Sequence, residues 1–345
     1  MERNVLNESD KRLSSMRRNE SLEMLLAELN SVLAPASACL SVSRDDRLAK
    51  VFVVGPMRAG TTLYMQWLAS TGLVSYPTNL LSRFYGAPLI GAKIQQMLTD
   101  PTFDFRNEIL DFSSKVGFYS ENGKTVGALA PNEFWYFWRR FLPALADGYC
   151  DSDELRRTSD LIRLREEING LSNIFGRPFA MKALILNQHV ELLIESFARP
   201  IIVWVQRDPI FNMQSALLAR ARQYGTMAAW YSFKIREYPW LRDMDPLRSV
   251  AGQIHAINAG IERSLANISP ANKIVVHYEE FCANPGAAYD LLSSKLAAQD
   301  SLISSAPYNG VSSFQNSNRW EIDDYSLSEA ERAFGEVRGL MGTSS

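Results

Sequence analysis

The sequence predicts an α/β fold: a P-loop-type parallel β-sheet flanked by helices, with a long aromatic insertion between the first two core strands. Three observations point to it. Four short runs, residues 51–54, 179–185, 201–205 and 274–277, are apolar throughout rather than alternating. That is the pattern of strands buried on both faces of a parallel sheet. A helix-like segment follows each of the first three runs, as strand–helix–strand crossovers require. Between the first run and its helix stands Gly55-Pro56-Met57-Arg58-Ala59-Gly60-Thr61-Thr62, with the spacing and flanks of a phosphate-binding loop.

Taken in order, residues 1–20 are charged and read as a disordered or loosely helical tail. From Ser21, Leu22, Leu25, Leu26, Leu29, Val32 and Leu33 recur at helical spacing on one face, and Ala34-Pro35 should end the helix. The apolar face packs either on the main domain or on a second copy of the chain, which would make a homo-oligomer. The helix of residues 64–70 stops at Gly72. Residues 73–178 are long, aromatic and irregular, as an insertion forming the substrate side of a site would be. Residues 187–197 carry Val190, Leu193, Ile194 and Phe197 on one side. Residues 209–222 open with Asp208-Pro209, an N-cap followed by proline at the first helical position. The expected domains are a tail and amphipathic helix over 1–47, a core domain over 48–300, and a C-terminal loop and helix over 301–345.

Composition narrows the function. The chain has 345 residues, 46% hydrophobic, with 36 Lys and Arg against 38 Asp and Glu, enough for a sizeable core and without the basic excess of a nucleic-acid binder. Three distant cysteines, Cys39, Cys150 and Cys282, fit a reducing compartment rather than a disulfide framework. Three histidines without ligand spacing point to no metal site. With no apolar leader and no apolar run near the roughly 20 residues that span a bilayer, the expected location is the cytoplasm. The pairs Lys11-Arg12 and Arg17-Arg18 read first as a solvated tail and second as a contact for anionic lipid.

Two motifs carry chemistry. In the loop, Gly55 and Gly60 let backbone N–H groups close on an oxyanion, and the helix beginning near Thr61 and Thr62 presents its amides. The lysine that would reach a nucleotide's outer phosphates is absent, and Arg58 supplies charge inside the loop instead. That arrangement suits a single bridging phosphate better than a magnesium triphosphate. In the second motif, the strand of residues 201–205 is followed by Arg207, with Ser215 eight residues on. Both can point to the carboxyl edge of the sheet, where open α/β folds bind ligands, and arginine suits bidentate phosphate binding. Taken alone, Arg207 reads better as a surface ion pair with Asp208.

Together the motifs resemble the PAPS-dependent sulfotransferases, whose P-x-[RK]-S-G-T-[ST] loop binds the 5′-phosphosulfate and whose strand-terminal Arg and following Ser bind the 3′-phosphate. The likeness continues in "KIVVHYEEFCANP" (273–285), covers about residues 50–290, and is nearest to bacterial and carbohydrate-type members, which have counterparts of "YPTNLLSRF" (76–84) and "APNEFWYFWRR" (130–140). The resemblance implies PAPS as co-substrate without a metal, bound by Met57, Arg58, Ala59, Gly60, Thr61, Thr62, Arg207 and Ser215, with Arg319 in a loop closing over the nucleotide. It implies Arg58 and Lys182 as groups that neutralise the leaving oxygen. Two departures stand out: Ala59 replaces the family's loop serine, and Leu184 stands where many members place a catalytic histidine. The remaining candidate base is Glu133, flanked by aromatics, since carbohydrate-type members often use a glutamate. Glu133 reads equally as a first-turn acid favouring a helix dipole. His189 reads as a surface or core residue. Trp204, Trp230 and Trp320 are candidates to stack on adenine, with core packing the stronger reading for at least two of them. Of Phe134, Trp135, Tyr136, Phe137 and Trp138, about half should be core and the rest face a carbohydrate or glycolipid acceptor. Two rival readings remain: a P-loop kinase or NTPase with a degenerate loop, which needs an aspartate at a strand end to hold Mg²⁺, and a PAP-binding module without turnover, favoured by Ala59 and Leu184.

Overall fold

In the computed structural model the described residues are 12–38, 40, 46–103, 117–121, 124–146, 148–300 and 306–342. The core is a parallel sheet of β1 (Lys50–Val54), β4 (Phe179–Lys182), β5 (Pro200–Gln206) and β6 (Lys273–His277); a two-stranded antiparallel hairpin, β2 (Ser120–Glu121) and β3 (Lys124–Thr125), stands apart. The strand order is β4-β1-β5-β6, with Val51 opposite both Ala180 and Ile201 and Val203 opposite Ile274.

The continuous apolar runs are explained by two cores, one on each face. Phe52, Val54, Phe179, Met181, Ile202 and Trp204 enter one core, packed against the insertion and the helices Pro209–Tyr224 and Pro246–Leu265. Val51, Val53, Ala180, Ile201, Val203 and Val205 enter the other, packed against Tyr64, Met65, Trp67 and Leu68 of helix Thr61–Ser70 and Tyr289, Leu292 and Leu296 of helix Pro285–Gln299. Alternate residues point to opposite faces, so a strand covered on both sides needs an apolar residue at every position.

Several boundaries differ from the sequence reading. The first helix spans Glu20–Ala38, with Pro35 inside it rather than ending it. A proline this near the C-terminus disturbs only the last turn. That helix packs on the main domain through buried Asn30, whose amide donates to the carbonyls of Leu26 and Arg83 and whose Oδ1 accepts from Gly86 N. Residues 1–11, including Lys11, lie outside the described residues, while Arg18 pairs with Glu23 at 3.8 Å and covers the Tyr136 ring. The second core strand stops at Lys182 and turns through Leu184–Leu186, and the following helix is only Val190–Ser196. The insertion is not irregular throughout: its described residues hold helices Pro88–Thr99, Trp135–Arg139, Ser152–Thr158 and Leu161–Phe175. Among the described residues no helix is long and apolar enough to cross a membrane.

Candidate active site

The chain leaves β1 toward β4 on one side and β5 on the other, so the carboxyl ends of these strands open a crevice at the reversal of strand order, where such sheets bind ligands. Four segments converge there: the loop after β1, Lys182 at the end of β4, Arg207 just after β5, and Tyr278 just after β6.

The loop is held by side chains from both neighbours. Asn187 grips Gly55 twice, accepting from its N–H at 3.1 Å and donating to its carbonyl at 2.7 Å. Buried Asn212 donates to the Met57 carbonyl at 2.7 Å. Gly60 has φ +98, and a Cβ there would lie 2.5 Å from the Tyr278 ring, so only glycine fits. Arg58, with φ 67, occupies the left-handed region that side chains avoid. Met57 and Ala59 are buried, and Thr61 opens the helix whose N-cap is Gly60.

Two cationic groups meet at this loop. Arg58 donates through Nε to Ser215 Oγ at 3.1 Å, and Arg207 donates through Nη1 to the Arg58 carbonyl at 3.2 Å. Arg207 also donates to Asn318 Oδ1 at 2.8 Å and Ser317 Oγ at 3.2 Å, and lies over the Tyr278 ring at 4.7 Å. The expected ion pair of Arg207 with Asp208 does not form: Asp208 caps its helix, accepting from Ile210 N at 2.9 Å. Among the described residues neither Arg58 nor Arg207 is paired directly with a carboxylate. Burial pulls the Arg207 guanidinium below its ordinary range. A part-buried arginine with neutral partners is poised for an anion.

The third group is Lys182, 4% exposed, whose Nζ donates to Thr62 Oγ1 at 2.6 Å and to Glu133 Oε1 at 2.8 Å. Glu133 is not a first-turn acid: it precedes helix Trp135–Arg139, separated from it by Phe134 with φ 57. Asn132 Oδ1 accepts from Phe134 N at 2.8 Å and fixes this kink, while Phe134 stacks on Phe137 with ring centroids 4.5 Å apart. The kink turns the carboxylate, whose side chain is 23% exposed, toward Lys182.

The structure thus brings together Arg58, Thr62, Glu133, Lys182, Arg207 and Ser215. Arg319 is exposed, and only its backbone joins, its carbonyl accepting from Gln214 Nε2 at 2.6 Å. The neighbours Ser317 and Asn318 contact Arg207 instead, and the reading of the sequence missed both, along with Asn187 and Asn212. Asn318 also donates to Glu279 Oε1 at 2.7 Å, tying the C-terminal loop to the segment after β6. His189 is buried away from Lys182, with Nδ1 2.8 Å from Ser152 Oγ. Trp204 packs in the core with its Nε1 donating to Asn258, Trp230 lies under Arg220 and against Tyr238, and Trp320 donates to the carbonyls of Ile322 and Tyr325. Of the five insertion aromatics, Phe134, Phe137 and Trp138 are core. Among the described residues no group of three potential metal ligands is found.

Residues 50–292 match the family model described as the sulfotransferase family. The chain belongs to the sulfotransferase family. The match takes in the loop after β1, Lys182, Arg207, Ser215 and the segment after β6. No curated protein sequence matches the chain. Solved sulfotransferase structures resemble it at low identity. The sulfotransferase STF9 from Mycobacterium avium has 13% identity and a TM-score of 0.48, the alignment covering 90% of this chain and 80% of that one. STF1 from Mycobacterium tuberculosis H37Rv has 15% identity and a TM-score of 0.46, covering 90% and 82%. The sulfotransferase domain from the curacin biosynthetic pathway has 15% identity and a TM-score of 0.42, covering 84% and 98%.

Proposed function

We propose that this sulfotransferase moves a sulfuryl group from PAPS to a hydroxyl of a small acceptor, a carbohydrate or glycolipid. The observation that carries this reading is the pair of arginines, Arg58 and Arg207, tied by the 3.2 Å hydrogen bond from Arg207 Nη1 to the Arg58 backbone carbonyl and, among the described residues, without direct carboxylate partners. PAPS has two anionic ends, a 5′-phosphosulfate and a 3′-phosphate, and each arginine suits one. The loop amides from Met57 to Thr62, with Arg58, would hold the 5′ end; Arg207 and Ser215 would hold the 3′-phosphate. The C-terminal loop carrying Ser317, Asn318 and Arg319 would close over the nucleotide.

Sulfuryl transfer builds negative charge on the bridging oxygen as it leaves, so catalysis is positioning and electrostatic stabilisation. Arg58 and Lys182 are the cations near that oxygen. Lys182 holds Glu133 in the free protein. On PAPS binding the ammonium would turn to the leaving oxygen and release the carboxylate to take the acceptor's proton. Glu133 then serves as the base in place of the histidine absent at Leu184. The chemistry needs no group that this chain lacks apart from donor and acceptor.

Incubation with sulfur-35-labelled PAPS and a metabolite extract tests the reading. Label should move to a hydroxyl compound in the presence of wild-type protein and stay in PAPS with the Lys182→Ala variant. Equal label transfer by both proteins removes Lys182 from the chemistry. No transfer by wild type, despite PAP binding, favours the non-catalytic module instead.

A further inference from the structure

Asp208 and Glu279 lie next to Arg207, and neither carboxylate pairs with it directly. Asp208, its neighbour in the chain, caps the helix Pro209–Tyr224 by accepting from Ile210 N at 2.9 Å. Glu279, just after β6, is half-buried and turns Oε1 to two neutral donors, Asp208 N at 3.0 Å and Asn318 Nδ2 at 2.7 Å. The other edge of the same Asn318 amide faces the arginine, Oδ1 accepting from Arg207 Nε at 2.8 Å. A single amide therefore stands between a guanidinium and a carboxylate.

The partners dictate which way round the amide sits. Turned over, its NH₂ would face the arginine N–H and its carbonyl would face the carboxylate, so both contacts would be repulsive. Other contacts hold the guanidinium in the same pose. The Tyr278 ring lies 4.7 Å from it, and Nη1 donates to the Arg58 carbonyl at 3.2 Å. Nη2 makes the longer, more exposed contacts, 3.3 Å to the Ser317 carbonyl and 3.2 Å to Ser317 Oγ. Asn318 thus grips the Nε edge, and the Nη2 contacts are the ones an incoming oxyanion can replace.

A carboxylate at the place of the Asn318 amide would cancel the charge of Arg207 and repel a phosphate. The amide oxygen accepts the same hydrogen bond without a charge. Its NH₂, by donating to Glu279, also occupies the nearby carboxylate that could otherwise take the arginine.

We propose that Asn318 is a positioning and specificity-determining residue of this site, holding Arg207 by Nε and keeping Glu279 off it; the assignment rests on the functional reading above. The guanidinium then keeps its charge for a 3′-phosphate, and the site prefers nucleotides that carry one to those with a 3′-hydroxyl. PAP and AMP differ in the 3′-phosphate alone, so their affinity ratio isolates the contact. Both are titrated calorimetrically at about pH 8, where a carboxylate beside a guanidinium is ionised. The proteins are wild type, Asn318→Asp, Asn318→Ala, and Asn318→Ala combined with Glu279→Gln. Asn318→Asp sets a carboxylate on Arg207 and should weaken PAP about 100-fold or more while leaving AMP within about 3-fold. Asn318→Ala frees Glu279 to take the guanidinium and should weaken PAP about 10-fold. Adding Glu279→Gln keeps an acceptor for Asp208 N but removes the charge, and should restore most of that loss. An unchanged ratio of PAP to AMP affinity in Asn318→Asp overturns the assignment. So does equal weakening by the aspartate and alanine variants without recovery in the double variant, which would make Asn318 a tether of its loop. Failure of the wild type to bind PAP instead overturns the functional reading on which the assignment stands.

Discussion

Replacing Arg207 by alanine removes the guanidinium assigned to the 3′-phosphate. In the free protein its head group holds Asn318 Oδ1, Ser317 and the Arg58 carbonyl and covers Tyr278. A bound phosphate would gain about two charge-assisted hydrogen bonds, each worth roughly 1.5–3 kcal/mol net. Part of that gain is offset, because the neutral partners of Arg207 must be shared or released. The expected loss of PAP affinity is therefore about 2–4 kcal/mol, a rise in Kd of roughly 30- to 1000-fold. The fold should survive, since Arg207 lies just beyond β5 and burial already disfavours its charge. Calorimetric titration with PAP reads the first effect and a thermal melt reads the second. Arg207→Lys should recover only part of the affinity, because an ammonium cannot make the paired planar contact. Wild-type PAP affinity in Arg207→Ala would refute the assignment and return Arg207 to the role of a strut for the C-terminal loop.

Four further outcomes follow. Arg58→Ala should lower kcat more than it weakens PAPS binding, because its charge is needed most as the leaving oxygen becomes anionic; a raised KM with kcat intact would make it a ground-state clamp. Glu133→Gln should keep folding and PAP binding and lower kcat by about 10²- to 10⁴-fold, and a near wild-type kcat would exclude Glu133 as base. Gly60→Ala combines φ +98 with a Cβ 2.5 Å from the Tyr278 ring, so chemical denaturation should show a loss of about 2–4 kcal/mol together with lost PAP binding; a stable variant that binds PAP normally would mean the loop has slack. Burial holds the pKa of His189 below its ordinary value, so the folded state favours the neutral ring. That contribution is present above the unfolded value near about 6.5 and is lost as pH falls, by at most about 1.4 kcal/mol per unit. His189→Gln should flatten the stability difference between about pH 7.5 and about pH 5, and an unchanged slope would place the acid sensitivity elsewhere.

The core strands and the loop were legible because each rests on a local rule. A strand buried on both faces must be apolar at every position, and Gly60 must be glycine where a ring stands against it. Arg58, Arg207 and Ser215 were singled out by two motifs taken together and by the family resemblance, not by either motif alone, and the structure brings the three side chains to one loop. The bounds of the second core strand were not: Ala183–Leu186 is as apolar as a strand but turns off the sheet after Lys182. The helices of the insertion were not either, since their faces pack on one another and on the sheet rather than on a single side. Glu133 was found for its aromatic flanks, yet what positions it is the Phe134 kink and the Lys182 ion pair, which no spacing encodes. Asn187, Asn212, Ser317 and Asn318 reach the loop and Arg207 through contacts between residues 110 to 155 apart in sequence, for which no motif exists; the Asn187 grip on Gly55 spans 132 residues. The composition of "SSFQNSNRWEID" marked the C-terminal loop but not which of its residues reaches Arg207.

The loop without its lysine is proposed to bind a two-ended nucleotide rather than a triphosphate. Titrating the protein with PAP and, separately, with magnesium-ATP measures this directly. PAP should bind without added metal, and magnesium-ATP should neither bind comparably nor displace it. Tight magnesium-ATP binding with no affinity for PAP would contradict the account and point to a P-loop kinase or NTPase.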